Sequence, residues 1–265
     1  MSLYTLLSLP NEHPKKTVFI ATSLCLVCSI LVAFTSVNLR PLQIANQQLD
    51  IKKNILAVAG KLHHDTDVDR AFEQFEAKVV DLHSGQYIDI DPQQYDQYQA
   101  AKDPEQRITL SAQQDIANIR VKPKWATVYL LKNNHLVEQI ILPVSGYGLW
   151  STLYGFIALD ADLSTIGGLR FYQHAETPGL GGEIDNPLWR EKWQGKQAFD
   201  SEGQLKIKVM RGAVPTNAKE YSHQVDGISG ATLTSQGVSN LVRFWLGQDG
   251  FGPYLSQLRS DDGAL

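Results

Sequence analysis

Between Lys16 and Arg40 the chain carries no charged side chain, and residues 17–37, TVFIATSLCLVCSILVAFTSV, are dominated by apolar positions. At about 1.5 Å of rise per residue a helix over 17–37 reaches roughly 31 Å, matching a bilayer hydrocarbon core of about 30 Å. The pattern predicts one transmembrane helix. A cleaved signal peptide is the competing reading, but its apolar region runs only about 7–15 residues and ends at small A-x-A-like residues. This run is longer and no such site follows it, which favours an uncleaved anchor.

Residues 39–59, LRPLQIANQQLDIKKNILAVA, set Ile44, Leu49, Ile51, Ile55, Leu56 and Val58 among polar positions, with Gly60 next. That spacing predicts an imperfectly amphipathic helix leaving the membrane, closed by a glycine just past its end. Val68, Phe72, Phe75 and Val79 recur at helical spacing behind the capping candidates Asp65 and Thr66, with Gly85 after them, and predict a second helix. Residues 89–120 are polar and Gln-rich, and predict a loop with short helical pieces.

The period then changes. ATVYLL at 126–131 and LVEQIIL at 136–142 are β-rich runs joined by Lys132, Asn133, Asn134 and His135, a hairpin signal. YGFIALD at 154–160, GGLRFYQH at 167–174 and LKIKVM at 205–210 predict three further strands, and short connections favour an antiparallel sheet over a doubly wound parallel one. Val238, Leu241, Val242, Trp245 and Leu246 describe an amphipathic helix ended by Gly247. The expected fold class is α+β: a single N-terminal transmembrane helix followed by a mostly antiparallel sheet with packed helices. The expected organisation is a tail over 1–16, the membrane helix over 17–37, a helical stalk and polar segment over 38–120, and one exported domain over 121–265.

Charge adds orientation and exclusions. Lys15 and Lys16 precede the span, which puts the short N-terminus in the cytoplasm and the body in the periplasm, anchored to the inner membrane as a single-pass protein; Arg40, Lys52 and Lys53 pull the other way. The 265 residues are 43% apolar and 20% charged, so one globular body is expected rather than a disordered or collagen-like chain. With Lys+Arg 24 against Asp+Glu 28, a net charge of -4 and no basic stripe, there is no electrostatic case for nucleic-acid binding. Both cysteines, Cys25 and Cys28, fall inside the apolar span. A C-x-x-C pair on one membrane helix offers at most two ligands of a tetrahedral metal set, so packing is favoured over a metal or dithiol role. The exported body therefore has no thiol, and redox chemistry there requires a cofactor.

Two Gly-rich clusters are the candidates for chemistry. Residues 176–183, ETPGLGGE, follow a predicted strand, and their glycines let backbone N–H groups approach a planar or anionic ligand; an ordinary turn has the same composition. The order of glycines is not that of a dinucleotide-binding fingerprint. Residues 226–235, DGISGATLTS, run straight into the amphipathic helix, where unpaired N–H groups and the helix dipole favour a phosphate. Thr234 or Ser235 as a plain N-cap is the alternative, although a cap needs one hydroxyl and this segment has four.

Ser229-Gly230-Ala231-Thr232, with Asp226 ahead of it, resembles the acceptor motif of flavin transferases, in which FMN is joined by a phosphoester to the last threonine. With ETPGLGGE at 176–183, the turn from Tyr147-Gly148 to Trp150, and WREKWQGK at 189–196, it is similar to the FMN-binding domain found in the C subunits of the Na⁺-translocating NADH:quinone oxidoreductases. KKTVFIATSLCLVCSILVAF, SVNLRPLQIANQQLD and ILAVAG are similar to that family's anchor and exit helix, so the resemblance spans most of the chain. The G subunit of the related Rnf/Rsx electron-transport complex shares the anchor, the domain and the acceptor motif. The anchor exit, the segment DADLSTIGGLRFYQHAETPGLGGEIDNPLW and the Gln-rich insertion favour the quinone reductase. A non-redox anchored binding module, with SGAT merely a helix cap, is the rival from another class.

The resemblance implies that 121–265 is a periplasmic FMN-binding domain carrying covalent FMN on Thr232. A separate flavin transferase would attach it from FAD with Mg²⁺, so the domain needs no catalytic base of its own. By the same resemblance Asp226, Ser229, Gly230, Ala231, Leu233 and Thr234 surround the attachment point, and Glu176, Thr177, Gly179, Leu180 and Gly181 line the isoalloxazine ring. Trp150 and Leu180 are the expected apolar walls, Thr177 a polar ring contact, Asp226 a residue positioning the motif, and Glu176 the partner of a neighbouring cation. No catalytic residue is expected. The partners implied are the other members of a six-subunit membrane complex, which passes electrons from NADH to ubiquinone and exports Na⁺. Within it the attached FMN would take electrons from a metal centre in neighbouring subunits and pass them to a second covalent FMN. His63, His64, His83, His135, His174 and His223 show no H-x-x-x-H or H-E-x-x-H spacing, and read as surface or structural rather than metal ligands.

Overall fold

The structure, a computed structural model, describes residues 8, 10, 13–134 and 136–260. Most of the expected N-terminal tail, and His135 of the predicted hairpin, lie outside the described residues. The chain forms two compact units, Met1–Asp50 and Ile51–Leu265.

The first unit is built on helix α1, Pro14–Val58, whose last turns belong to the second unit. Its most apolar 18-residue window has a mean hydropathy of 2.5, so α1 is long and apolar enough to cross a membrane. Val18, Leu24, Ile30, Phe34 and Val37 are exposed, as are the free Cys25 and Cys28. The predicted membrane and exit helices are one continuous element, because Pro41 lies inside α1 without ending it. The end of α1 is a Schellman turn: Gly60 takes φ +69° and the Lys61 N–H reaches the Leu56 carbonyl at 2.8 Å.

The second unit runs α2 (Val68–Phe72), β1 (Phe75–Asp81), β2 (Tyr87–Ile88), α3 (Gln97–Ala100), β3 (Arg107–Thr109), β4 (Val121–Pro123), β5 (Trp125–Asn133) and β6 (Leu136–Tyr147). It continues with β7 (Thr152–Asp160), β8 (Thr165–Gln173), a 3₁₀ turn at Gly181–Asp185, α4 (Pro187–Glu191), β9 (Lys196–Gln197) and β10 (Lys208–Val209). A 3₁₀ turn at Tyr221–His223, β11 (Gln224–Val225), α5 (Thr232–Leu246) and α6 (Gly252–Ser260) complete it. Seven strands form one sheet in the order β2-β1-β5-β6-β7-β8-β9, and every neighbouring pair is antiparallel. This is the expected α+β class.

Alternation along the strands divides the core by sheet face. Val128, Leu130, Ile140, Leu142, Leu153 and Ile157 pack with Val238, Leu241, Val242 and Trp245 of α5. Leu131, Ile141, Phe156 and Ala158 pack with Ile55, Leu56 and Val58 from the end of α1. The α5 backbone comes very close to the end of β6, since a Cβ on Gly237 would stand 2.5 Å from the Tyr147 carbonyl oxygen. That approach fixes the start of α5 beside the β6–β7 turn, where the site lies.

Four expectations need correction. The helix predicted across Val68–Val79 stops at Phe72, and the chain continues as β1, paired with β5 from Phe75↔Leu131 to Asp81↔Trp125. A separation of four, as between Phe75 and Val79, places two residues on one face in both a helix and a strand, so the spacing did not discriminate. Residues 38–120 are consequently no stalk: β1 is an inner strand of the main sheet, and only the part up to Asp50 falls outside the second unit. The cap of α2 is Asp67, accepting from the Arg70 N–H at 3.3 Å, while Thr66 Oγ1 accepts from the His63 N–H at 2.7 Å. The strand predicted at 205–210 shrinks to β10, which pairs in parallel with β11 outside the main sheet. Residues 89–120 hold α3 as expected, together with β3, which pairs with β4 in a short antiparallel ribbon not anticipated from the sequence.

Candidate functional site

Three segments far apart in sequence meet at one buried carboxylate. Glu176, only 5% exposed, accepts through Oε1 from the backbone N–H groups of Leu149 at 3.1 Å, Trp150 at 2.9 Å and Ser151 at 3.3 Å. Its Oε2 accepts from the Thr234 hydroxyl at 2.7 Å. Burial by itself pushes the Glu176 carboxyl up, but the Thr234 hydroxyl and the three backbone N–H groups outweigh it and hold the pKa below the usual value. The β6–β7 turn, the loop after β8 and the first turn of α5 are thereby tied together. Ser151 Oγ adds a second tie by accepting from the Ala175 N–H at 2.7 Å.

The loop itself is a tight turn. The N–H groups of Leu180 and Gly182 both reach the Thr177 carbonyl, at 3.1 and 2.9 Å, and Gly179, just before Leu180, has φ +74°. Leu180 is turned outward over the start of α5, 46% exposed, and a Cβ on Gly230 would lie 3.1 Å from its Cδ2. Trp150 at 65% and Leu233 at 61% are also exposed. Large apolar side chains held in water on the tied segments mark a surface made to be covered.

The helix α5 starts without a side-chain cap. Ala231 is its N-cap residue, and the expected caps are engaged elsewhere, Thr234 with Glu176 and Ser235 Oγ with the Ile228 N–H at 2.9 Å. Among the described residues the backbone N–H groups of Thr232, Leu233 and Thr234 have no acceptor. Thr232 is therefore the first helical residue, exposed, on a 15-residue helix whose positive end is unpaired. Asp226 secures the approach to it. Asp226 Oδ2 accepts from Lys192 Nζ at 2.6 Å and Oδ1 from the Val214 N–H at 2.8 Å, while its carbonyl accepts from Trp189 Nε1 at 2.8 Å.

Residues 148–247 match the FMN-binding domain family, a range that spans the turn, the loop and all of α5. The chain is 47% identical to the C subunit of the Na(+)-translocating NADH-quinone reductase of Pseudomonas aeruginosa over 257 residues, 95% of this chain and 98% of the relative. It is 45% identical to the same protein of Yersinia pestis over 260 residues, 96% of each chain. The chain belongs to the family of Na(+)-translocating NADH-quinone reductase C subunits. Among solved structures, NqrC of Shewanella oneidensis superposes with a TM-score of 0.76 at 30% identity, covering 82% of this chain and 100% of the other. The C subunit of the Parabacteroides distasonis reductase gives 0.64 at 28% identity, covering 82% and 97%.

Within this family's fold, the sequence-predicted residues Trp150, Glu176, Thr177, Gly179, Leu180 and Gly181 are brought to Asp226, Ser229, Gly230, Ala231, Thr232, Leu233 and Thr234 by the ties described. Two of them have other surroundings than expected. None of the four donors to Glu176 is a cation, so it is not half of an ion pair. Ala231 is buried as the N-cap rather than open to a ligand. Sequence reasoning quoted Trp189 and Lys192 only within the 189–196 stretch, without tying them to Asp226, and it missed Val214. It also missed a groove of about 250 Å³ lined by Arg211, Thr232, Gln236, Asn240 and Arg243. Thr232, Gln236, Asn240 and Arg243 at i, i+4, i+8 and i+11 are a polar helix face that was readable in advance. His174 Nδ1 accepts from the Glu176 N–H at 3.2 Å and Nε2 lies 2.8 Å from Asp185, and His223 Nδ1 lies 2.8 Å from the Gln197 carbonyl, both structural placements.

These groups fit a flavin mononucleotide. Three N–H groups without acceptors among the described residues suit a phosphate, and the exposed Trp150, Leu180 and Leu233 suit the faces of a planar aromatic ring.

Proposed function

We propose that this chain carries FMN in phosphoester linkage to Thr232 and serves as the anchored C subunit of a Na⁺-translocating NADH:quinone reductase. The observation that supports this most directly is the exposed residue Thr232 at the first position of an uncapped helix. The flavin supplies reversible electron transfer when bound. The chain's residues do the rest. The free N–H groups of Thr232, Leu233 and Thr234 hold the phosphate charge, Trp150, Leu180 and Leu233 exclude water from the ring, and the Thr177 hydroxyl donates to a ring acceptor. Attachment by Thr232 prevents loss of the group by dissociation, so the ring edge can stay open to redox partners.

In this reading α1 anchors the chain in the inner membrane and the body lies in the periplasm. A flavin transferase modifies Thr232 with FAD and Mg²⁺, and the mature protein works among the six subunits of the complex. It relays electrons on the way from NADH to ubiquinone, coupled to Na⁺ export. Among the described residues the groove at Thr232 is lined by no carboxylate and no histidine, which suits attachment by a separate enzyme. The test is a denaturing gel viewed under ultraviolet light, with protein from cells carrying the transferase. A flavin-fluorescent band is expected for the native chain and for Thr234→Ala, and none for Thr232→Ala. A dark band from the native chain sinks the flavoprotein reading, and a dark Thr234→Ala band beside a bright Thr232→Ala band moves the attachment point.

A further inference from the structure

Glu176 is a buried carboxylate with no positive partner among the described residues. Its four donors are one hydroxyl and three backbone N–H groups, all neutral. The two ring nitrogens of His174 are engaged away from the carboxylate, Nδ1 with the Glu176 backbone N–H at 3.2 Å and Nε2 with Asp185 at 2.8 Å. The carboxylate is 5% exposed and both oxygens are occupied, so it does not reach the surface that a flavin would cover. It nevertheless underlies that surface, because it grips the Trp150 N–H on one side and the first turn of α5 on the other. A Cβ on Gly181, in the loop that carries Leu180, would come within 2.6 Å of Oε2.

We propose that Glu176 is a positioning residue with an electrostatic role: a buried, uncompensated anion that sets the height of the Trp150 turn against Thr232 and lowers the reduction potential of the flavin. This rests on the reading of Thr232 as the FMN attachment point. A fixed negative charge in a water-poor site disfavours the addition of electrons to a nearby ring, and nearby charge is one means by which a protein tunes a bound cofactor. The donors keep Glu176 ionised at neutral pH, so the charge is permanent in use.

The experiment is a spectroelectrochemical titration of the full-length, flavin-loaded chain in detergent, comparing the native protein with Glu176→Gln and Thr234→Val. Glu176→Gln keeps the shape, removes the charge, and is expected to raise the midpoint potential. Thr234→Val keeps the charge but strips a donor from it, and is expected to lower the potential. Opposite signs are the signature, because loosening of the fold moves both variants the same way. Unchanged potential in Glu176→Gln, or shifts of one sign in both, overturns the proposal. If Glu176→Gln does not load flavin, Thr234→Val decides: a lowered potential supports the role, and an unchanged or raised one overturns it. A native chain without bound flavin overturns the attachment reading instead.

Discussion

Leu180 rests on Gly230. A Cβ built at Gly230 stands 3.1 Å from Leu180 Cδ2, and Gly230 has φ +74°, where a side chain is strained in any case. The loop after β8 and the residue two before Thr232 are therefore fitted to one another by the absence of a methyl group. Gly230→Ala is expected to cost about 1–2 kcal/mol for the left-handed backbone, with the Leu180 contact added, and to lower the yield of covalent flavin. Thermal unfolding and fluorescence of the denatured band measure the two effects. Full yield with unchanged melting rejects the fit.

Asp226 gives a pH dependence with a defined sign. Burial pushes its carboxyl up, but the Lys192 ammonium and the Val214 N–H outweigh burial and hold it below the ordinary aspartate range. A depressed folded value means that the stabilisation is complete above the unfolded aspartate value and is lost as pH falls through the folded one. Unfolding midpoints should be flat from neutral to about pH 5 and fall below about pH 4. Asp226→Asn should flatten part of that fall. The Lys192 side chain is 46% exposed, so the pair contributes at most about 1 kcal/mol near neutrality. A native chain whose midpoint rises on acidification contradicts the assignment.

The parts of the fold legible in advance were those with one dominant period. α1 showed an unbroken apolar run and α5 a clean i, i+3, i+4 stripe. The β5–β6 hairpin and β7 alternated around turn residues. β1 was not legible, since Phe75 and Val79 satisfy both periods and only pairing with β5, some fifty residues later, decides between them. The segment 226–235, in which the flavin attachment is proposed, stood out because its run of glycines and hydroxyls is local. The role of Glu176 was not, because its donors lie 25 to 58 positions away and three of them are backbone N–H groups. A sequence pattern carries no sign of such donors.

Thr232 and Thr234 share a side-chain type but should respond in opposite ways to substitution. The Thr234 hydroxyl is fully buried and donates to Glu176 Oε2 at 2.7 Å. Thr234→Ala leaves a buried carboxylate oxygen without its donor, a cost of about 1–3 kcal/mol, and Thr234→Ser should restore most of it. Thr232 is an exposed residue whose hydroxyl has no partner among the described residues, so Thr232→Ala should leave the apoprotein's stability within about 0.5 kcal/mol. Denaturant unfolding of apoprotein made without the transferase measures all three. A larger loss for Thr232→Ala than for Thr234→Ala contradicts the burial of Thr234.

The boundary between the two units places the folding limit inside α1. Ile55 and Leu56 are 0% exposed and Val58 is 5% exposed, packed with Phe75, Leu131, Ile141, Phe156 and Ala158 on one face of the sheet. Residues before Ile51 supply none of that core. A chain beginning at Ile51 should therefore fold, remain soluble without detergent and still accept flavin at Thr232. A chain beginning at Lys61 removes the helix and uncovers the sheet face. Each large aliphatic side chain lost from such a core costs about 2–5 kcal/mol, so losing Ile55 and Leu56 together approaches the whole stability of an ordinary domain, about 5–15 kcal/mol. Circular dichroism melting and size-exclusion chromatography distinguish the two fragments. Equal cooperative unfolding of both would show that the end of α1 only links the anchor to the body, whereas a folded Ile51 fragment beside an aggregated Lys61 fragment shows that the last turns of α1 belong to the core of the flavin domain.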